Sequence, residues 1–144
     1  MKTFDARTSI AIQAPAAAVW QALTKPELIE KYMHGTKTHS TWKVGEPITW
    51  TGEWNGKSYQ DKGTILACEP PKLVRYSYWS SMSGSEDKPE NYLIVSYELS
   101  EKDGQTTLAL TQSNNPSQAA ADQMAENNWG PVLRGLKEVV DKHL

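Results

Sequence analysis

Hydrophobic and polar residues alternate along much of the chain up to residue 113, which is the pattern of strands with one buried face. Residues 48–54 show it most clearly, because Ile48, Trp50 and Trp54 fall on one face while threonines and a glutamate fall on the other. Asn55-Gly56 follows at once and is typical of a two-residue hairpin turn. Along the whole chain the alternation predicts seven strands, at residues 4–13, 38–42, 48–54, 57–67, 74–80, 92–99 and 106–113.

Two short helices are predicted between the first and second strands. Apolar residues recur three and four positions apart in residues 16–23, which predicts a helix with one apolar stripe. Pro26 ends that helix and can begin another, which carries Leu28 and Tyr32 as apolar contacts.

The last thirty residues predict one long helix that is interrupted near its middle by Trp129-Gly130-Pro131. Pro131 lacks a backbone N–H and its ring collides with the carbonyl group four residues earlier, so a kink is expected at residues 127–130. Asn115 is the expected N-cap, with Gln118 reaching back to it in a capping box. Residues 132–144 carry an apolar stripe typical of core packing. The first half of the helix is small and polar enough to border a space, and Trp129 is either a packing anchor or part of that border.

These elements predict a single α+β domain over residues 1–144, in which a curved antiparallel sheet of about seven strands wraps around a long C-terminal helix. A helix laid across such a sheet can close a cavity. Alternate residues of a strand point to the same face, and the apolar ones among them define the parity of the inner face. The predicted inner face is made of Ile48, Trp50, Trp54, Tyr59, Ile65, Val74, Tyr76, Tyr78, Leu93, Val95, Tyr97, Leu108 and Leu110. Asp61 and Gln112 share that parity, but Gly63 is expected to mark a bulge that turns Asp61 outward.

Aromatic residues are used unevenly, with 6 Trp and 6 Tyr but a single Phe. Trp and Tyr carry a polar group that needs a partner when buried, and ligand pockets combine aromatic walls with a few polar groups. This composition favours a lined pocket over the alternative, which is a half-exposed sheet whose aromatic residues reach its edges.

Charge and cysteine content exclude several function classes. The formal net charge is −2 and no basic stripe occurs, so nucleic acid is not expected as a partner. No apolar run approaches the roughly 20 residues of a membrane span, and the charged N-terminus lacks the apolar segment of a signal peptide. Cys68 is the single cysteine, so no internal disulfide can form and a cytoplasmic location is expected.

Several segments of this chain occur in an order that matches a known family. They are Ile10-Ala11-Ile12-Gln13-Ala14-Pro15, Val19-Trp20-Gln21-Ala22-Leu23-Thr24, Pro26-Glu27-Leu28, Gly63-Thr64-Ile65-Leu66, Glu69-Pro70-Pro71-Lys72-Leu73, Asn128-Trp129 and Val132-Leu133 with Leu136-Lys137. Together they resemble the START-like (SRPBCC) superfamily, and within it the bacterial single-domain relatives of the activator of Hsp90 ATPase.

The resemblance implies a helix-grip (START-like, Bet v 1-like) fold with a deep cavity between the sheet and the C-terminal helix. It also implies apolar ligands such as lipids, sterols or polyketides, with catalysis in a few members. The family name further implies contact with a chaperone.

The titratable residues form no recognised catalytic or metal motif. Glu30, His34 and His39 lie near one another in the sequence, but their spacing matches no known zinc site, so no metal or other cofactor is expected. Asp61 is the sharpest candidate for a general acid or base, because burial tunes a carboxyl group for proton transfer. The favoured expectation is nevertheless an exposed Asp61 beside Lys62.

The main functional hypothesis is non-catalytic binding of a small hydrophobic or aromatic molecule in the cavity. Its candidate ligand-binding residues are Trp50, Trp54, Tyr76, Tyr78, Tyr97, Gln112, Met124, Asn128 and Trp129. The alternative is an enzyme of the polyketide cyclase/dehydratase or hydrolase type that uses Asp61 or His34 as acid or base. A weaker alternative is a chaperone- or protein-interaction module with exposed tryptophans such as Trp79. The oligomeric state is left open.

Overall fold

The computed structural model describes residues 4–33, 35–54, 56–80 and 85–143. Within them the strands are β1 (Phe4–Ile12), β2 (Lys37–Ser40), β3 (Pro47–Trp54), β4 (Lys57–Glu69), β5 (Leu73–Ser80), β6 (Leu93–Lys102) and β7 (Gln105–Asn115). They form one antiparallel sheet in the order β1-β7-β6-β5-β4-β3-β2. The predicted seven-stranded antiparallel sheet and its helix-grip architecture are confirmed.

The helices lie in the two places where the sequence predicts them. They are α1 (Ala16–Thr24) and α2 (Pro26–Tyr32) between β1 and β2, then α3 (Gln118–Gln123), a π-helical segment (Met124–Trp129) and α4 (Gly130–His143). A 3-10 turn, Pro89–Asn91, precedes β6. In the described parts of the chain, no helix is long and apolar enough to cross a membrane.

The core lies between α4, α1 and the sheet. α4 buries one face, made of Leu133, Leu136, Val139 and Val140. These residues join one cluster with Ile12, Leu108 and Val19, which are fully buried. Burying a side chain of this size contributes about 1.5–3 kcal/mol, so the second half of the predicted long helix stabilises the fold.

Strand register places Trp50 and Asp61 side by side on the inner face of the sheet. Thr38 is paired with Trp50, Trp50 with Asp61, and Asp61 with Ser80, which gives one row across β2, β3, β4 and β5. Directly opposite residues of an antiparallel pair point to the same face. The predicted hairpin between β3 and β4 forms, with Gly56 at φ 77°, whereas Asn55 lies outside the described residues.

The expected bulge at Gly63 is wrong. The irregularity between β4 and β5 lies between Ile65 and Ala67, and the pairing of Asp61 with Ser80 is undisturbed. Gly63 instead permits a close approach of the two strands, because a Cβ there would lie 1.7 Å from the carbonyl oxygen of Ser77. Asp61 therefore keeps the parity of the inner face.

The C-terminal helical region begins later than predicted. Ser117 is the N-cap of α3, and its side chain accepts a 3.1 Å hydrogen bond from the backbone N–H of Ala120. Asn115 is buried at the end of β7, where its amide donates to the carbonyl of Phe4 at 2.9 Å. Because Asn115 is used to join the sheet, the capping box expected from Asn115 and Gln118 does not form, and Gln118 bonds Asp122 instead.

The Trp129-Gly130-Pro131 sequence produces a π-helical segment within a continuous helical path. The backbone N–H of Gly130 donates to the carbonyl of Ala125, five residues earlier, as in a π-helix. A regular α-helix would push the ring of Pro131 into the carbonyl of Asn127, and a wider turn relieves that collision. Gly130 has ordinary helical angles, φ −54° and ψ −53°, so the helix is widened here and the chain does not leave it.

Candidate functional site

A cavity of about 700 Å³ lies between the inner face of the sheet and the C-terminal helical region. The sheet contributes from β3 to β7, and the π-helical segment and the start of α4 form the opposite wall. α2 and the residues after it close one side. The lining residues are Tyr32, Met33, Thr36, Trp50, Glu53, Tyr59, Asp61, Tyr76, Tyr78, Leu93, Val95, Gln112, Met124, Asn127, Asn128, Trp129, Pro131 and Val132.

Three closely packed aromatic rings form part of the sheet side of the cavity. The ring centroid of Trp50 lies 5.1 Å from that of Tyr76 and 5.1 Å from that of Tyr78, in tilted and edge-on arrangements. Tyr76 and Tyr78 are two apart in β5, so both point to the same face of the strand. The close rings give this wall a large and well-defined apolar surface.

Asp61 lies inside the cavity wall, and the favoured expectation of an exposed side chain is wrong. Only 8% of the residue is accessible to solvent. Its Oδ2 accepts a 2.6 Å hydrogen bond from the hydroxyl of Tyr78, and its Oδ1 has no partner among the described residues. Burial, and then the hydrogen bond and charge of Asp61, raise the pKa of Tyr78 well above its usual value. Tyr78 therefore keeps its proton at neutral pH and remains the hydrogen-bond donor to Asp61.

Gln112 and Trp129 join the sheet to the π-helical segment. The indole Nε1 of Trp129 donates to Oε1 of Gln112 at 3.0 Å. The amide nitrogen of Gln112 donates to the carbonyl of Ser113 at 2.8 Å. Trp129 also meets Tyr97 edge-on, with ring centroids 6.5 Å apart. Trp129 is thus both a packing anchor and part of the cavity wall.

Three tyrosines in or beside this wall have raised pKa values. Tyr97 lines a small neighbouring space of about 20 Å³ and does not line the large cavity. Burial raises the pKa of Tyr97 to about 12, and it raises the pKa of Tyr76 well above the usual value. Tyr32 also has a raised pKa because of burial, and its hydroxyl donates to the carbonyl of Ala22 at 2.7 Å. All three remain neutral at physiological pH.

The structure brings most of the predicted ligand-binding residues to one place. Those that line the cavity are Trp50, Tyr76, Tyr78, Gln112, Met124, Asn128 and Trp129. Tyr97 packs behind them, and Trp54 belongs to β3 but its side chain lies outside the described part of the structure.

The remaining candidates do not form a second site. His34 lies outside the described residues, while His39 and Glu30 are exposed. The described residues contain no group of three or more His, Cys, Asp or Glu side chains that could hold a metal ion. Trp79 is half-buried and stacks on Tyr92 with ring centroids 6.4 Å apart.

Sequence patterns missed the residues that close the cavity beside α2. Met33 and Thr36 follow that helix, and the hydroxyl of Thr36 lies 2.5 Å from that of Tyr59 in β4. No periodicity marks a connecting segment as a cavity wall, because its course depends on how α2 packs on α4. The sequence identifies Tyr32 only as an apolar contact of its helix, although it also lines the cavity.

The chain is similar to one described protein family and to several solved structures. The family described as Activator of Hsp90 ATPase homolog 1-like protein matches residues 13–141. The solution structure of a protein from Cytophaga hutchinsonii is 40% identical, with a TM-score of 0.85 over 98% of this chain and 97% of that one. A crystal structure from Mesorhizobium loti is 24% identical, with a TM-score of 0.72 over 96% and 98% of the two chains. A dimer from Colwellia psychrerythraea, solved in solution, is 23% identical, with a TM-score of 0.70 over 99% and 98%. No curated protein matches the sequence.

Proposed function

The chain belongs to the Activator of Hsp90 ATPase homolog 1-like family, and we propose that it binds a small apolar or aromatic molecule in the cavity between sheet and helix. The observation that carries the proposal is the cavity of about 700 Å³, which is within the range of about 300–1,000 Å³ common for small-molecule sites. Its wall combines the Trp50, Tyr76 and Tyr78 rings with few polar groups, as such sites do. The fold family includes ligand-binding and polyketide cyclase-like members. We also propose a cytoplasmic location, because the free thiol of Cys68 is consistent with a reducing compartment.

Two adjacent residues offer a matched test. Leu93 lines the cavity, whereas Ile94 is 42% exposed on the opposite face of β6. Leu93→Trp is expected to fill part of the cavity and weaken the binding of pyrene by about tenfold, or about 1.4 kcal/mol. Ile94→Trp adds the same side chain outside the cavity and is expected to leave pyrene binding unchanged.

Energy transfer from tryptophan to pyrene would measure both affinities, and thermal unfolding would show that both variants fold. Native mass spectrometry of the purified wild-type protein would add the mass of any molecule that co-purifies. A wild-type protein that does not bind pyrene, or equal binding by the Leu93→Trp and Ile94→Trp variants, would count against the proposal.

A second candidate function is acid–base catalysis at Asp61. The observation that favours it is the buried carboxyl group in the cavity wall, which is hydrogen-bonded to Tyr78 and has an unpartnered Oδ1 within the described residues. Such a group can accept a proton from a bound substrate in a cyclase, dehydratase or hydrolase reaction. The test is turnover of aryl esters and linear polyketide mimics by wild type and Asp61→Asn. Turnover that survives in the variant would rule out Asp61 as the base.

A further inference from the structure

We propose that the cavity selects apolar molecules that carry a hydrogen-bond donor, with protonated amines preferred and carboxylates rejected. This inference rests on the proposed binding function and adds the chemical class of the ligand. It depends on the charge and the hydrogen-bonding capacity of the cavity wall.

Asp61 offers acceptor capacity that the described residues do not use. A carboxylate has about four sites that accept hydrogen bonds. Oδ2 accepts from Tyr78, while Oδ1 is buried without a partner in the described part of the chain. Asp61 lines the cavity, and because the last torsion of an aspartate is broad, rotation of its carboxyl group can present an oxygen to a ligand. A buried acceptor without a donor is costly, and a ligand that supplies the donor removes that cost.

No described basic side chain compensates the carboxyl group of Asp61. Lys62 follows it in β4 and points to the opposite face, since side chains alternate along a strand. Its ammonium group pairs with Asp87 and lies over the ring of Trp79, 5.7 Å from its centroid. The described residues that line the cavity include no Lys, Arg or His. A cation in the cavity is attracted by the carboxyl group of Asp61, whereas a carboxylate is repelled.

The aromatic rings beside Asp61 favour the same ligand. Trp50 is directly opposite Asp61 in the pairing of β3 with β4, and the rings of Tyr76 and Tyr78 lie close to it. Aromatic faces attract cations through their quadrupole. An amine with an apolar body can therefore place its ammonium group at Asp61 and its body against these rings.

Four compounds with one apolar body test the inference: pyrene, 1-pyrenemethanol, 1-pyrenemethylamine and 1-pyrenecarboxylate. Titration of the full chain at about pH 7, followed by energy transfer from tryptophan, is expected to show the amine binding roughly tenfold or more tightly than the carboxylate, with the alcohol between them. Equal affinities, or tightest binding of the carboxylate, would overturn the inference and leave the proposed function intact. A protein that binds none of the four compounds would contradict both.

Asp61→Asn tests whether the carboxyl group of Asp61 causes the preference for amines. The variant keeps one oxygen for the hydroxyl of Tyr78 and replaces the other with an NH₂ donor, so the ratio of amine to carboxylate affinity is expected to fall about tenfold. Asp103→Asn removes the same charge from the exposed turn between β6 and β7, where the residue has φ 53°, and is expected to leave the ratio unchanged.

A further variant covers the case in which Asp61→Asn does not fold. Tyr78→Phe removes the hydroxyl donor from Asp61 and is expected to raise the preference for the amine. Thermal unfolding would establish which variants are folded. An unchanged ratio in folded Asp61→Asn, or a lower ratio in Tyr78→Phe, would overturn the inference.

Discussion

The indole N–H of Trp129 donates a 3.0 Å hydrogen bond to the side-chain carbonyl of Gln112, which ties the π-helical segment to β7. The amide nitrogen of Gln112 is used as well, because it donates to the carbonyl of Ser113. Both ends of this buried amide are therefore engaged within the protein. Gln112 holds Trp129 in the cavity wall, and the ring of Trp129 in turn faces Tyr97.

Trp129→Phe should isolate this hydrogen bond, because phenylalanine keeps an aromatic ring but has no N–H. The change leaves Oε1 of Gln112 without its donor and is expected to lower the free energy of unfolding by about 1–3 kcal/mol. Urea unfolding would measure it. A double-mutant cycle with Gln112→Leu is expected to give a coupling energy of about 1 kcal/mol. Strictly additive effects would mean that the two side chains do not interact.

Gly63→Ala should reveal the close approach of β4 and β5. The added Cβ would lie 1.7 Å from the carbonyl oxygen of Ser77, so the strands must separate and the free energy of unfolding is expected to fall by about 2–4 kcal/mol. Gly104→Ala is the comparison, since φ is 77° there and no described atom lies within 4 Å of the added Cβ. That variant is expected to lose about 1–2 kcal/mol, because alanine is strained in the left-handed region. Equal losses in urea unfolding would contradict the steric explanation.

The local pattern of the sequence predicts the elements well because each depends on neighbouring residues. Alternation identifies the strands, and the helical spacing after Pro131 identifies the buried face of α4. The same patterns cannot locate a bulge, because a bulge depends on how two strands pair. The irregularity lies between Ile65 and Ala67, whereas the sequence predicts it at Gly63. The predicted outward orientation of Asp61 depends on that bulge and is therefore wrong.

Long-range partners explain the other differences. Asn115 has the side chain of a helix N-cap, but its amide donates to Phe4, which is 111 residues away. The cavity wall formed by Met33 and Thr36 depends on the packing of α2, and a repeating pattern in the local sequence cannot predict that packing. Most of the aromatic lining was predicted because strand parity alone places Trp50, Tyr76 and Tyr78 on one face.

Gly130→Ala should stabilise the protein even though the sequence suggests a glycine needed for a break. Gly130 has helical angles. The nearest atom to an added Cβ would be the flexible end of Arg134 at 3.3 Å, and the carbonyl oxygen of Ala125 would lie at an ordinary contact distance of 3.6 Å. The expected gain is about 0.5–1 kcal/mol, from the higher helix propensity of alanine. Gly135→Ala, in the same helix, places its Cβ 3.0 Å from Cβ of Tyr32 and is expected to destabilise the protein. Thermal unfolding of the two variants should therefore shift in opposite directions, and a loss of stability in Gly130→Ala would show that the π-helical segment requires glycine.

Alkaline pH should destabilise the protein through its buried tyrosines. Burial raises the pKa of Tyr97 to about 12, and that of Tyr76 is raised as well, while a tyrosine in the unfolded chain ionises near pH 10. Between these values the unfolded state releases protons that the folded state retains. The stabilising contribution is therefore complete below about pH 10 and is lost as the pH rises towards the folded-state pKa, by about 1.4 kcal/mol per pH unit for each such tyrosine.

Thermal unfolding from about pH 8 to about pH 11 would measure this loss, with tyrosinate absorbance as a direct record of ionisation. Tyr97→Phe removes one of the buried hydroxyls and is expected to make the alkaline decline shallower, although it also removes the hydrogen bond with Tyr76 and lowers stability at neutral pH. The slope, and not the absolute stability, is therefore the informative quantity. A slope identical to that of the wild type would mean that Tyr97 ionises as readily in the folded protein as in the unfolded chain.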